Sequence, residues 1–257
     1  MPNSNSRFER IALIIRGAVA KKTKSSLLKE GELYDNAPYI NYRSAFLSVE
    51  NHIIKANPLC IFDVYIQSWN KDLESELCAL YRPVAWLFED NNEFAPDIRA
   101  KIYNEENYGG VSQLLSIKHA VELFEEVSKR RGLVYDRTIL YRPDVLLWKD
   151  MRIDRYDRNT IYSNCHDSGR GDFHFVMNPS NLSIFKNAYD YVSRQNEYQP
   201  HETFKRYVSH ALGIDIHDDE IRAGQDQEVV RKLIYSYPNL LSPGQAMRYD
   251  LRLDDIY

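Results

Sequence analysis

Arg142 and Asp144 end an apolar run of strand type, Thr138-Ile139-Leu140-Tyr141, with a proline between them. Burying both charges without partners would be costly, so the pattern predicts that they stand at a sheet edge facing a charged ligand. The ring of Pro143 keeps Arg142 out of the α region, and the two side chains should leave an extended backbone on one side, roughly 6.5 Å apart. A guanidinium suits phosphate oxygens, and a carboxylate suits a hard divalent cation or a sugar hydroxyl. Together they describe a site for a diphosphate or diphosphosugar. A plain ion pair closing the strand is the competing structural role.

Four further groups have the residue types for chemistry. Arg16-Gly17 follows the apolar run Ile11–Ile15, where glycine permits close backbone approach and arginine can neutralise phosphate, or can simply point into water. Gly109-Gly110-Val111-Ser112-Gln113 opens a helix whose free amides could hold an anion or a ribose, although glycines precede helices for steric reasons too. Asp167, Asp172 and Glu202 lie beside turns or helix starts, and each is a candidate base for an acceptor hydroxyl. Glu202 has a rival role as a favourable charge at a helix N-terminus; Asp172, just before a strand, has no such role. His217-Asp218-Asp219-Glu220, with Asp215 before it, could supply ligands to a divalent ion together with Asp144, or form a solvated turn. Cys165-His166-Asp167 is set aside as a nucleophile triad, because adjacent residues seldom reach that geometry.

The elements that must position these groups alternate. Strands are predicted at Ile11–Ile15, Leu59–Ile66, Val84–Phe88 and Thr138–Tyr141. Helices are predicted at Tyr42–Ile54, Leu73–Leu80 and from an N-cap at Ser112 to Gly132, where Leu114, Ile117, Val121 and Phe124 recur at helical spacing. Lys21–Tyr34 reads as a polar loop and Glu89–Tyr108 as an excursion over the binding face. Such alternation is the pattern of an α/β protein with a mostly parallel central sheet and helices on both faces. Ligands bind beyond the carboxyl ends of such strands, so Arg16, Gln67 to Asn70 and Arg142 to Asp144 should converge on one rim. In the second half, short strands are expected at Thr160–Ser163 and Phe173–Met177, helices from Pro179 to Arg194 and His201 to Leu212, and a final edge strand at Ile214–His217. A last helix is expected near Gln227–Ile234.

A chain of 257 residues with 44% hydrophobic residues has ample material for one continuous core. The net charge of −4 argues against a broad nucleic-acid-binding surface. No apolar run is long enough for a membrane span or a signal segment, and three separated cysteines imply a reducing compartment. A soluble, cytoplasmic protein is expected. The abundance of tyrosine, 19 residues, is compatible with sugar binding but equally with an aromatic surface.

The succession Ile14-Ile15-Arg16-Gly17, Asp63 to Asn70, Gln113 to Lys118 and Leu140-Tyr141-Arg142-Pro143-Asp144 resembles a group of bacterial and viral glycosyltransferase-like proteins, similar in turn to the nucleotide-diphosphosugar transferase fold called GT-A. The resemblance covers roughly Arg10 to Gly213. It implies a single domain with a nucleotide-sugar-binding half over 10–147 and an acceptor-binding half over 148–257, in the host cytoplasm if the protein is viral. In that fold an Asp-x-Asp motif holds manganese or magnesium against the donor diphosphate. Here the matching tripeptide is Arg142-Pro143-Asp144, so either Asp144 holds the ion with distant ligands such as His217, or Arg142 replaces the ion's charge; a retained manganese or magnesium ion is the expectation, since such an ion needs few protein ligands when phosphates and water supply the rest. The implied activity is transfer of a hexosyl or pentosyl group from a nucleoside-diphosphate donor to a hydroxyl of a glycan acceptor. Arg16, Gly17 and Arg142 would hold the diphosphate, Trp69 would stack on base or sugar, Gln113 would bond the nucleoside, and Asp172 or Glu202 would deprotonate the acceptor. Two alternatives stand beside it: a noncatalytic carbohydrate- or nucleotide-binding protein on the same fold, and a nucleotidyltransferase, for which Arg16-Gly17 is a sparse phosphate loop.

Overall fold

The computed structural model describes residues 8–19, 42–102, 104–165, 171–195, 207–208, 212–223 and 225–229. The expected loop 21–34, Asp167, Glu202, most of the helix expected over 201–212, and everything beyond 229 lie outside the described residues.

The chain begins with β1 (Glu9–Gly17), α1 (Tyr42–Val49, continued as a wider turn to Ile54), β2 (Cys60–Ser68), α2 (Glu74–Tyr81) and β3 (Ala85–Phe88). A short α3 (Ala95–Arg99) leads to the long α4 (Tyr108–Arg131), then β4 (Arg137–Tyr141), β5 (Val145–Leu147), β6 (Ile161–Cys165) and β7 (His174–Met177). The last elements are α5 (Leu182–Gln195), β8 (Ile216–Arg222) and β9 (Gln227–Val229).

Seven strands form one sheet in the order β3-β2-β1-β4-β7-β6-β8. Pairings β2–β3, β1–β2, β1–β4 and β6–β8 are parallel, whereas β7 runs antiparallel to both β4 and β6. Six strands therefore point one way and β7 alone is reversed. The expected α/β class, mostly parallel sheet and helices on both faces are all present.

Alternation along β1 explains the layering. Ile11, Leu13 and Ile15 face α1 and α2 through Ala45, Val49 and Leu77, while Ala12 and Ile14 face α4 and α5 through Leu114, Ile117 and Phe185. A strand covered on both faces has to be apolar at every position, which is why Ile11–Ile15 is an unbroken run. Helix α4 ends where Gly132 adopts φ +63°, with the Leu133 amide donating to the Ser128 carbonyl at 2.9 Å.

Helix α3 lies inside the stretch 89–108 expected as an excursion, β5 is not among the expected strands, and three further elements depart from the sequence reading. Helix α4 starts at Tyr108, so Ser112 is no N-cap; its hydroxyl lies inside the helix and donates to Asn91 Oδ1 at 3.1 Å. The edge strand β8 runs from Ile216 to Arg222 and takes in the acidic run His217-Asp218-Asp219-Glu220. Gln227–Val229 is a strand, not the start of a helix, and pairs antiparallel with β5. Three residues are too few to show a period, so this pairing is not legible in them. Among the described residues no helix is long and apolar enough to cross a membrane.

Candidate active site at the carboxyl rim

Register brings the charged residues together. Arg16 lies opposite Gln67 at the ends of β1 and β2, and Ile15 lies opposite Tyr141, so Arg142 emerges from β4 beside Arg16. Because β7 is reversed, with Tyr141 opposite His174, its entering residue Asp172 arrives at the same rim from the other side. Gly17, at φ +106°, turns the chain just after Arg16, and Asn70 Oδ1 accepts from the Val19 amide at 2.7 Å to hold the turn.

Arg142 is clamped. Its Nε and Nη2 donate to the two oxygens of Asp144 at 2.9 and 2.8 Å, and its Nη1 donates to Asp172 Oδ2 at 2.9 Å. The same Asp172 oxygen accepts from Gln113 Nε2 at 2.7 Å, and the Asp172 carbonyl accepts from Arg16 Nη2 at 2.6 Å. Phe173 lies under the Arg142 guanidinium, 5.6 Å from ring centre to carbon. Burial is deep: Arg16 is 1% exposed, Asp144 2% and Asp172 3%. Only Arg142 and Gln113 of this group reach the surface in part.

The two arginines differ electrostatically. Burial lowers the Arg16 pKa to about 10, opposed by nearby Asp172 and reinforced by Arg142. Burial works against the charge on Arg142 as well, but Asp144 and Asp172 outweigh it and raise the pKa. Among the described residues, Arg16 Nε has no hydrogen-bond acceptor at all. An unmatched N–H on a buried cation is costly and calls for a partner, such as a water or a bound anion.

A divalent ion does not fit this arrangement. Both oxygens of Asp144 already accept from Arg142. An ion seated at those oxygens would displace the charge-assisted bonds from Arg142 and stand beside its guanidinium as a like charge. Among the described residues no three His, Cys, Asp or Glu side chains form a metal-holding group.

Of the residues singled out in the sequence, Arg16, Gly17, Gln113, Arg142, Asp144 and Asp172 do meet. Asp172, however, is held as an anchor for Arg142 and Gln113, not presented as an open base. Trp69 packs against Phe94 and His119, with ring centres 5.6 and 5.8 Å away, rather than over the arginines. His217 is not brought to Asp144: β8 lies three strands from β4, roughly 14 Å across the sheet, and the register sets His217 level with Ile139. Its side chain is exposed, against Tyr162.

The sequence reading missed a second polar group beside the first. Gln67 donates to Glu89 Oε2 at 3.2 Å, His119 Nδ1 meets the same oxygen at 2.8 Å, and the Ser116 hydroxyl donates to Gln67 Oε1. The signal was present as Ser112, Ser116 and His119, a polar stripe on α4 beside the apolar positions Leu114, Ile117, Val121 and Phe124. Behind the rim, fully buried His174 bonds Asp219 Oδ2 at 2.7 Å and Gln227 at 3.2 Å, and the Tyr156 hydroxyl donates to the same Asp219 oxygen at 2.7 Å.

The chain matches no protein-family model, and no curated protein is similar enough to count as a relative.

Proposed function

We propose that the carboxyl rim binds the diphosphate of a nucleotide sugar and that the protein is a glycosyltransferase of GT-A-like architecture, passing the sugar to a hydroxyl of a glycan. The observation that carries this reading is the delivery of two arginines by adjacent parallel strand ends, one of them buried with an N–H that no group among the described residues accepts. Cleavage of the anomeric bond builds negative charge on the departing diphosphate, and fixed donors that need no reorientation lower the barrier most. Asp144 and Asp172 fix the plane of Arg142; they orient the donor group and do not touch the sugar. Gln113, partly exposed at the same rim, would bond the nucleoside. Free thiols at Cys60 and Cys78 suit the reducing cytoplasm, where we place the reaction.

The test is release of nucleoside diphosphate from a panel of nucleotide sugars, with mixed glycan acceptors, by the whole chain and by Arg142→Ala. Turnover by the parent, with kcat/KM at least about a hundredfold lower in the variant, is expected. If no nucleotide sugar either binds or turns over, the reading is wrong. Binding without turnover would favour a second reading, a noncatalytic nucleotide- or carbohydrate-binding protein. The engagement of Asp172 by Arg142 and Gln113 is the feature that speaks for it.

A further inference from the structure

We infer that the rim grips a diphosphate without any divalent cation, the paired guanidinium groups of Arg142 and Arg16 supplying the charge an ion would bring. The inference rests on the proposed donor site and goes beyond it by fixing how the anion is held.

Charge balance is the first argument. Arg142 and Arg16 together carry the charge of a dication, and Asp144 and Asp172 match it, as two carboxylates would match a bound divalent ion. The position between Asp144 and Asp172 is filled by Arg142 itself, through three charge-assisted bonds. Donor supply is the second. A guanidinium has five N–H groups. Among the described residues Arg142 uses three, and Arg16 uses one, on the Asp172 carbonyl. Arg16 Nε is buried with no acceptor among the described residues. The unused N–H groups of partly exposed Arg142 are therefore the ones an incoming phosphate meets first, with those of buried Arg16 behind them on the neighbouring strand. Rigidity is the third, since both arginines are held by sheet register and by the reversed entry of β7, so little ordering is needed when the anion arrives.

Calorimetric titration of the whole chain with UDP, GDP, ADP, CDP and inorganic pyrophosphate, in excess EDTA and again with manganese or magnesium added, decides the matter. At least one nucleoside diphosphate should bind in EDTA, with a Kd within about threefold of its value with metal. Arg142→Ala should weaken that binding at least about tenfold in EDTA. Arg142→Lys, which keeps the charge and loses the fork, should not restore it. Circular dichroism on both variants separates lost binding from lost folding. Binding that appears only with metal overturns this inference and leaves the donor site standing. Absence of binding under every condition overturns both. Parent-like affinity of folded Arg142→Ala in EDTA also overturns the inference.

Discussion

Arg142 shows how far a motif can be read and where reading stops. A strand ending in arginine, proline and aspartate puts both charges at a sheet edge, and that much follows from strand geometry and the cost of burial. Whether two such charges face a ligand or each other depends on what a distant segment brings alongside, and here it is Asp172, 30 residues later. Because the pair is closed from both sides, Arg142→Ala would leave Asp144 and Asp172 buried without the cation that now bonds both of them. We expect a loss of about 3–5 kcal/mol in urea unfolding, the cost of breaking a buried ion pair from one side. A loss below about 1 kcal/mol, the range of exposed pairs, would mean that water reaches these carboxylates. Gly17 makes a different residue-scale case. A Cβ there would meet nothing nearer than Ser116 Oγ at 3.9 Å, so space is not the constraint. Its φ of +106° is one that side chains rarely adopt, and Gly17→Ala should cost about 1–3 kcal/mol through the backbone alone. The same denaturation measurement checks it.

Among the elements, the central strands and α4 were legible because a long run or a long period leaves one interpretation. The edge was not. His217-Asp218-Asp219-Glu220 looks like a solvated turn or a ligand set, and nothing local shows that β8 buries Asp219 against His174 of β7 and Tyr156. Burial by itself would raise the Asp219 pKa, but the bonds from His174 and Tyr156 and the Ile221 amide lower it below its ordinary value. A carboxyl group with a depressed folded pKa contributes stability above its unfolded value, and that contribution is lost as pH falls through the folded one. The protein should therefore lose stability below about pH 4, and Asp219→Asn should flatten that part of the profile. At neutral pH the variant should be about 1–3 kcal/mol less stable, since one amide oxygen replaces a charged acceptor shared by His174 and Tyr156. Urea melts of both proteins at neutral and acid pH test this; an unchanged acid slope in the variant would assign the effect to other carboxylates.

For the whole molecule, the sequence disclosed the layers but not the strand order, because alternation along a strand has a face and no direction. The reversal of β7 is invisible in Phe173–Met177, yet it delivers Asp172 to the arginines. What the unbroken run Ile11–Ile15 does specify is a strand with neighbours on both sides, and the structure pairs β1 with β2 and β4 along it. All five of those residues are at most 1% exposed. The two outer strands are unlike it: β3 has four residues with Trp86 48% exposed, and β8 alternates buried and exposed positions. Amides in β1 can exchange with solvent only when the sheet as a whole opens, whereas β3 and β8 can separate while the centre stays paired. Hydrogen-exchange mass spectrometry of the whole chain should find β1 slower than β3 and β8 by at least about a hundredfold, or roughly 3 kcal/mol in opening free energy. Exchange in β1 as fast as in the outer strands would place it at an edge, and Arg16 could then no longer stand between β2 and Arg142.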